Sequence, residues 1–246
     1  MSEALQVPVR LSRAISEDPV SERLSEIIRQ VGLNGKIPSE RDLTKLLQVS
    51  RTAIRDRLQT LMSVGVLQRV PGSGTYVRQL SPVGLGFSIS LGLSLSQMSL
   101  ESLTSVRQAL ERQAAIEAAT DADPVLVAYM GEALRTIKRA GDGDEVDEVD
   151  EADFGFHVTL LRAARNPALS FFAEALADVL REAQHHGRAE MRRLPGDRDT
   201  MVDIHRVIYD AVLAGDPVRA AAAVDYHFAR FQELTGHAVG RPVQPK

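Results

Sequence analysis

The chain has 246 residues, 44% hydrophobic and 25% charged, with a formal net charge of −4 and no cysteine. That length can bury one large core or two smaller ones, and the missing cysteines exclude disulfides and thiolate metal sites. The opening MSEALQVPVR carries no apolar run of the signal-peptide kind, and no stretch approaches a membrane span, so a cytoplasmic protein without membrane contacts is expected.

Residues 1–9 read as a flexible arm. Asp18-Pro19 then opens a helix on which Val20, Leu24, Ile27, Ile28 and Val31 form an apolar stripe, and Asn34-Gly35 ends the connection that follows. From Pro38 to Val77 the segment PSERDLTKLLQVSRTAIRDRLQTLMSVGVLQRVPGSGTYV predicts two short helices, a tight turn between them, and a β-hairpin. Ser39 suits an N-cap with Asp42 three residues on, and Ser50 suits the cap of the second helix. Leu43, Leu46 and Leu47 give the first of these helices its apolar face, and Ile54, Leu58, Leu61 and Met62 do so for the second. Gly65 fits a left-handed helix end. Pro71-Gly72-Ser73-Gly74 is the tip of a hairpin between residues 66–70 and 75–78. Three helices followed by such a hairpin make a winged helix-turn-helix over residues 10–79.

The chemistry of that arrangement is DNA recognition. A recognition helix meets base edges with its first turns, and an arginine there can donate two hydrogen bonds to guanine. Arg51 and Arg55 occupy those turns, with Thr52 on the same outward face; Arg41, one helix earlier, suits a phosphate. Gly72 and Gly74 let the wing backbone approach the sugar-phosphate edge. Any one of these arginines alone reads as a solvated surface residue; the ordered set does not. Charge agrees: residues 1–80 hold 12 Lys and Arg against 8 Asp and Glu, and the remainder is acidic.

From Leu80 to Ser99 the composition turns to serine, glycine and leucine, a linker expected to be part helical and to pack somewhere, since it is too rich in leucine for a free tether. Helices are expected near 100–120, 124–140, 145–165, 168–194, 198–214 and 217–235. Short connections between them imply an antiparallel bundle over 100–236, with a tail at 237–246. The fold class is therefore mainly α, a winged domain followed by an all-helical one. Within the bundle, Asp153 and His157 lie one turn apart on the stripe Val149, Phe156, Leu160 and Ala164. His205 shares a face with Met201, Ile204, Ile208 and Val212, and His227 with Ala220, Val224, Phe228 and Phe231. Four polar groups on apolar faces need partners. Three imidazoles and a carboxylate suit a divalent ion such as zinc or nickel. Spacing alone leaves a second reading open, a polar core satisfied by backbone and water.

Residues 10–80 resemble the DNA-binding domain of the GntR family of bacterial transcription regulators. The motifs are Pro38-Ser39-Glu40-Arg41, Val49-Ser50-Arg51-Thr52 with Ile54-Arg55, and Gly72-x-Gly74-Thr75-Tyr76-Val77. Carried over, the family's DNA contacts fall on Arg41, Ser50, Arg51, Thr52, Arg55 and Gly72; Ala53 stands where the family often has a hydroxyl. Residues 100–235 resemble the helical effector domain of its FadR subfamily, the FCD type. That match rests on Arg107-x-x-Leu110-Glu111, Asp153-Phe154-x-Phe156-His157 with Asn166, His205-x-x-Ile208, and Gly215-Asp216 with His227. It implies that Asp153, His157, His205 and His227 hold a divalent metal and that a small carboxylate metabolite completes the site. Arg107 and Asn166 are then its effector-binding candidates, although Arg107 could instead pair with Glu111 on its own helix. The resemblance further implies a homodimer on a short palindromic operator of double-stranded DNA, with effector binding altering operator affinity, most often as repression. Two rivals are a regulator for which the metal itself is the signal, and a metal-dependent hydrolase.

Overall fold

The local signals at 18–77 act as written. Asp18 accepts from the Val20 amide and caps α1 (Pro19–Val31). Ser39 caps α2 (Glu40–Leu47), and its hydroxyl also reaches the Asp42 carboxylate at 2.6 Å. Gln48 takes a left-handed conformation to make the turn, and Ser50 accepts from the Ala53 amide at 3.1 Å to start α3 (Arg51–Ser63). Gly65, at φ +79°, ends α3: its amide bonds to Met62 and that of Val66 to Leu61, a Schellman closure. Strands β1 (Leu67–Val70) and β2 (Gly74–Val77) pair antiparallel with Leu67 opposite Val77 and Val70 opposite Gly74.

The computed structural model describes residues 18–139, 146–191 and 197–235, and the chain divides into two compact units at Gly84 and Leu85. The expected arm, the tail, residues 10–17 and the ends of the expected helices at 140 and 192–194 lie outside the described residues. In the first unit Leu24, Ile37, Leu43, Leu47, Ile54, Leu58, Leu67 and Val77 form one core. The hairpin gains a third partner that the sequence reading treated as a plain connection. Lys36 bridges to Tyr76, and Ile37 and Val77 exchange amide bonds with Thr75 and Gly35.

The stretch expected as a linker contains a helix, α4 (Val83–Ser94). A Cβ added at Gly86 would stand 2.6 Å from the Ala175 carbonyl oxygen, so this segment lies hard against the helix that carries Ala175. The remaining helices are α5 (Leu100–Asp121), α6 (Pro124–Arg139), α7 (Val146–Ala163), α8 (Pro167–Met191), α9 (Asp197–Leu213) and α10 (Pro217–Thr235). They match the six expected segments to within a few residues. The fold is thus mainly α, a winged helix-turn-helix followed by an all-helical bundle. Helix α7 packs on α5, α6 and α8; α10 packs on α5 and α9. Ala114, Ala115 and Ala118 of α5 are fully or almost fully buried with Ala220 and Val224 of α10, and such small side chains let helices approach closely. This brings the histidine faces of α7, α9 and α10 together beside α5.

Candidate functional site

Two surfaces carry chemistry. On the winged unit, Arg51 and Thr52 stand exposed at the start of α3, as Arg41 does on α2. Ser50 uses its hydroxyl oxygen as the α3 cap. Arg55 is exposed and pairs with Glu40 at 3.5 Å, while Arg69 of β1 binds the other oxygen of the same carboxylate. Arg69 foremost, and Arg55 after it, hold the Glu40 carboxyl below the usual range. One glutamate thereby ties the wing strand to α3. Arg57 points the other way. It binds Asp18 at 2.5 Å and the Ala53 carbonyl at 2.9 Å, and with Ser21 it holds the Asp18 carboxyl well below its ordinary pKa. At the wing tip Ser73 donates its amide to Val70, with Pro71 and Gly72 as the corner residues and Gly72 at φ +72°. That is the type II turn, whose third position requires glycine-like freedom. Lys36 runs along the wing, close enough that a Cβ at Gly74 would strike its Cε at 2.5 Å. Lys36 and Arg69 border a cleft with Pro71 to Thr75, two cations that sequence motifs alone did not single out.

In the helical unit, the expected stripe residues are buried and the three histidines converge. One ring nitrogen from each of His157, His205 and His227 lies within 4.8 Å of the others. Asp153 reaches two of the three: its Oδ1 is 2.8 Å from His205 Nε2 and 3.8 Å from His157 Nε2. All four are less than 5% exposed. A fifth residue, which the sequence reading weighed only as a partner for Arg107, joins the cluster. Glu111 of α5, with no exposed surface, accepts from His157 Nδ1 at 2.6 Å and from Arg107 Nε at 2.5 Å. The Arg107–Glu111 pair weighed from sequence is therefore present. Its signal was available: Arg107 and Glu111 interrupt the buried run Leu103, Ala114 and Ala118 at helical spacing.

These contacts decide which nitrogens face the centre. A carboxylate paired to arginine can only accept, so His157 carries its proton on Nδ1 and its Nε2 is a lone pair. His205 Nδ1 lies 2.7 Å from the Met201 carbonyl and must donate there, which turns its Nε2 toward His157 and Asp153. The two Nε2 atoms face each other at 3.0 Å beside the Asp153 oxygen. A cation placed among these atoms, whether a proton or a metal ion, satisfies the His157 lone pair and the Asp153 carboxylate together. Burial, then the nearby charges of Arg107 and His205, pushes the His157 pKa well below its ordinary 6.5. Burial and the other two histidines do the same to His227, whose Nδ1 has no hydrogen-bond partner. The His157 and His227 rings, which resist protonation, fit a metal better than a proton.

Thr104, Arg107, Asp153, His157, Met201, His227, Phe228 and Phe231 line a cavity of about 40 Å³ against this cluster. Arg107 is 8% exposed; its Nη2 has no hydrogen-bond partner and the Phe228 ring lies 5.2 Å from its Cζ. Asn166 is placed elsewhere. Its oxygen accepts from the amides of Ala168 and Leu169 to cap α8, its amide nitrogen donates to Glu117 at 2.9 Å, and it is not among the lining residues.

Comparison with known proteins agrees with both halves. The model for bacterial regulatory proteins of the gntR family matches residues 17–77, and that for the FCD domain matches residues 102–230. A protein of Escherichia coli (strain K12), named as a regulator of the L-lactate dehydrogenase operon, is 29% identical over 227 residues, covering 91% of this chain and 85% of its own. LutR of Bacillus subtilis (strain 168), an HTH-type transcriptional regulator, is 27% identical over 81% of this chain and 90% of its own. The Glc operon transcriptional activator of E. coli (strain K12) is 26% identical over 92% and 95%. A solved GntR protein of Streptococcus agalactiae shares the fold at a TM-score of 0.58, with 24% identity over 87% of this chain and 98% of its own. The protein is a DNA-binding transcription regulator, not an enzyme, which sets the hydrolase reading aside. It belongs to the GntR family, with an FCD effector domain.

Proposed function

We propose that this regulator binds a short two-fold symmetric operator as a homodimer in the bacterial cytoplasm, and that a small carboxylate bound beside a divalent metal weakens that binding. It then acts as a repressor relieved by a metabolite. Arg51, Thr52 and Arg55 read bases, Arg41 and Ser50 hold the backbone, and Gly72 seats the wing. His157, His205, His227 and Asp153 hold the metal, zinc or nickel by donor type. When bound, the ion supplies positive charge and open coordination positions for carboxylate oxygens.

The observation that carries the carboxylate is Arg107. A buried guanidinium whose Nη2 lacks a partner, at the wall of a cavity bordered by three of the four metal donors, calls for an anionic acceptor. The cavity, at about 40 Å³, leaves no room for an acyl chain. One relative's name refers to an operon for an enzyme of L-lactate, a small acid of this class. The same open donor argues against the reading in which the ion alone is the signal.

The test joins two measurements. Elemental analysis of the purified protein should find close to one zinc or nickel per chain. Addition of L-lactate and related 2-hydroxy acids should then lower operator affinity in a fluorescence-anisotropy titration. Metal present with no response to any small acid would favour metal sensing; tighter operator binding would overturn the release of operator by the metabolite.

Acidity gives a separate check. Because His157 and His227 are held neutral below their ordinary 6.5, the unfolded chain binds more protons than the native state in that window. Stability is full above about pH 6.5 and should fall as pH drops, by up to about 1.4 kcal/mol per pH unit per histidine. Urea denaturation of the metal-free protein at pH 7.5 and 5.5 measures this; equal stabilities would show that the rings are not buried in neutral form.

A further inference from the structure

We propose that Glu111 is the positioning residue of this centre, orienting the His157 ring with one carboxylate oxygen and the Arg107 guanidinium with the other. The proposal rests on reading the histidine cluster as a metal centre. Glu111 itself touches neither the ion nor the effector.

The geometry supports each half separately. Toward the metal, the 2.6 Å contact to Nδ1 selects the tautomer in which His157 Nε2 is bare, on the side where His205 Nε2 lies 3.0 Å away. A carboxylate behind the ring also raises the basicity of the coordinating nitrogen. Without it His157 is free to carry its proton on Nε2, where it would block the site. Toward the cavity, the 2.5 Å contact uses up Arg107 Nε and turns the guanidinium so that Nη2 remains unpartnered. Phe228 lies 5.2 Å from the guanidinium carbon. Because Arg107 and Glu111 are one turn apart on α5, the two orientations are set by the same rigid element. Glu111 thus links the strength of the metal donors to the placement of the group that reads the carboxylate.

The experiment measures zinc affinity of the full-length protein, stripped with EDTA and titrated against a chromophoric chelator at pH 7.5. Glu111→Gln should bind zinc roughly 10–100-fold more weakly than wild type, the usual cost of losing such a partner. Because Glu111→Gln leaves a buried arginine unpaired and could fail to fold, the double variant Arg107→Gln/Glu111→Gln removes the charges together and should lose zinc affinity by the same factor. Glu117→Gln, on the same helix but bonded to Asn166 and Gln113, should match wild type. A readout that a merely structural role would not move is the His157 Nδ1–H proton in ¹H–¹⁵N NMR of the zinc-loaded protein. It should lie far downfield in wild type and shift upfield in the folded Glu111 variants. Zinc binding by wild type, its loss in His157→Ala, and unchanged affinity in a folded Glu111 variant would overturn this proposal and leave the metal reading intact. No zinc binding by wild type would overturn both.

Discussion

Replacing Arg51 or Arg55 with alanine is expected to weaken specific operator binding by roughly 1–3 kcal/mol, about one to two orders of magnitude in Kd. The fold should be untouched, because both side chains are exposed and neither contributes to the first unit's core. The two substitutions should differ in one respect. Arg55 is paired with Glu40 before DNA arrives, so part of its binding energy offsets the loss of that pair, whereas Arg51 has no ion-pair partner among the described residues. Arg51→Ala should therefore cost at least as much as Arg55→Ala. Lys36→Ala, by contrast, should weaken specific and non-specific DNA alike and reduce the salt dependence, as expected of a phosphate contact. The measurement is anisotropy on operator and scrambled duplexes at two salt concentrations. An Arg51→Ala protein whose affinity for operator was unchanged would remove α3 from the major groove.

His205→Ala is expected to abolish metal-dependent stabilisation of the helical unit. A ligand that binds only the native state adds about 4 kcal/mol when present at 1,000 times its Kd. For a unit of this size that is roughly a 10 °C rise in melting temperature, which EDTA should reverse in wild type. The variant should melt at one temperature with or without zinc, and its operator affinity should no longer respond to the effector, while its intrinsic DNA binding persists. His205 is the most informative of the four: it is fully buried, its Nδ1 is held by the Met201 carbonyl, and its Nε2 faces both His157 and Asp153. If zinc raised the melting temperature of His205→Ala as much as that of wild type, the ion would bind elsewhere. The four residues would then be a polar core.

Much of this molecule was legible in the sequence, because the signals involved are local. Asp18, Ser39 and Ser50 cap the helices that follow them, and Gly65 and Gly72 take the positive φ values their turns require. A hydrogen bond spanning three residues depends on little beyond those residues. Helical periodicity likewise put Asp153 and His157 on one buried face and His205 and His227 on two others. The linker was legible only in composition. Its leucines said that it packs; that Gly86 does so against the Ala175 backbone is a fact of tertiary structure.

Periodicity says which side of a helix is buried, but not which helix lies across from it. So the sequence by itself determined the winged motif, its outward arginines, and four polar groups on apolar faces in three helices. Only the packing of α5 against α7 and α10 decided that the three imidazoles meet within 4.8 Å and that Glu111 stands behind one of them. The same holds for Glu40, which joins Arg55 to Arg69 from 29 residues away, and for Asn166, which caps a helix outside the cavity. Ion pairs and ligand clusters depend on distances of a few ångströms between elements far apart in the chain. Those distances are set by how side-chain volumes fit between helices, a property that no single segment carries.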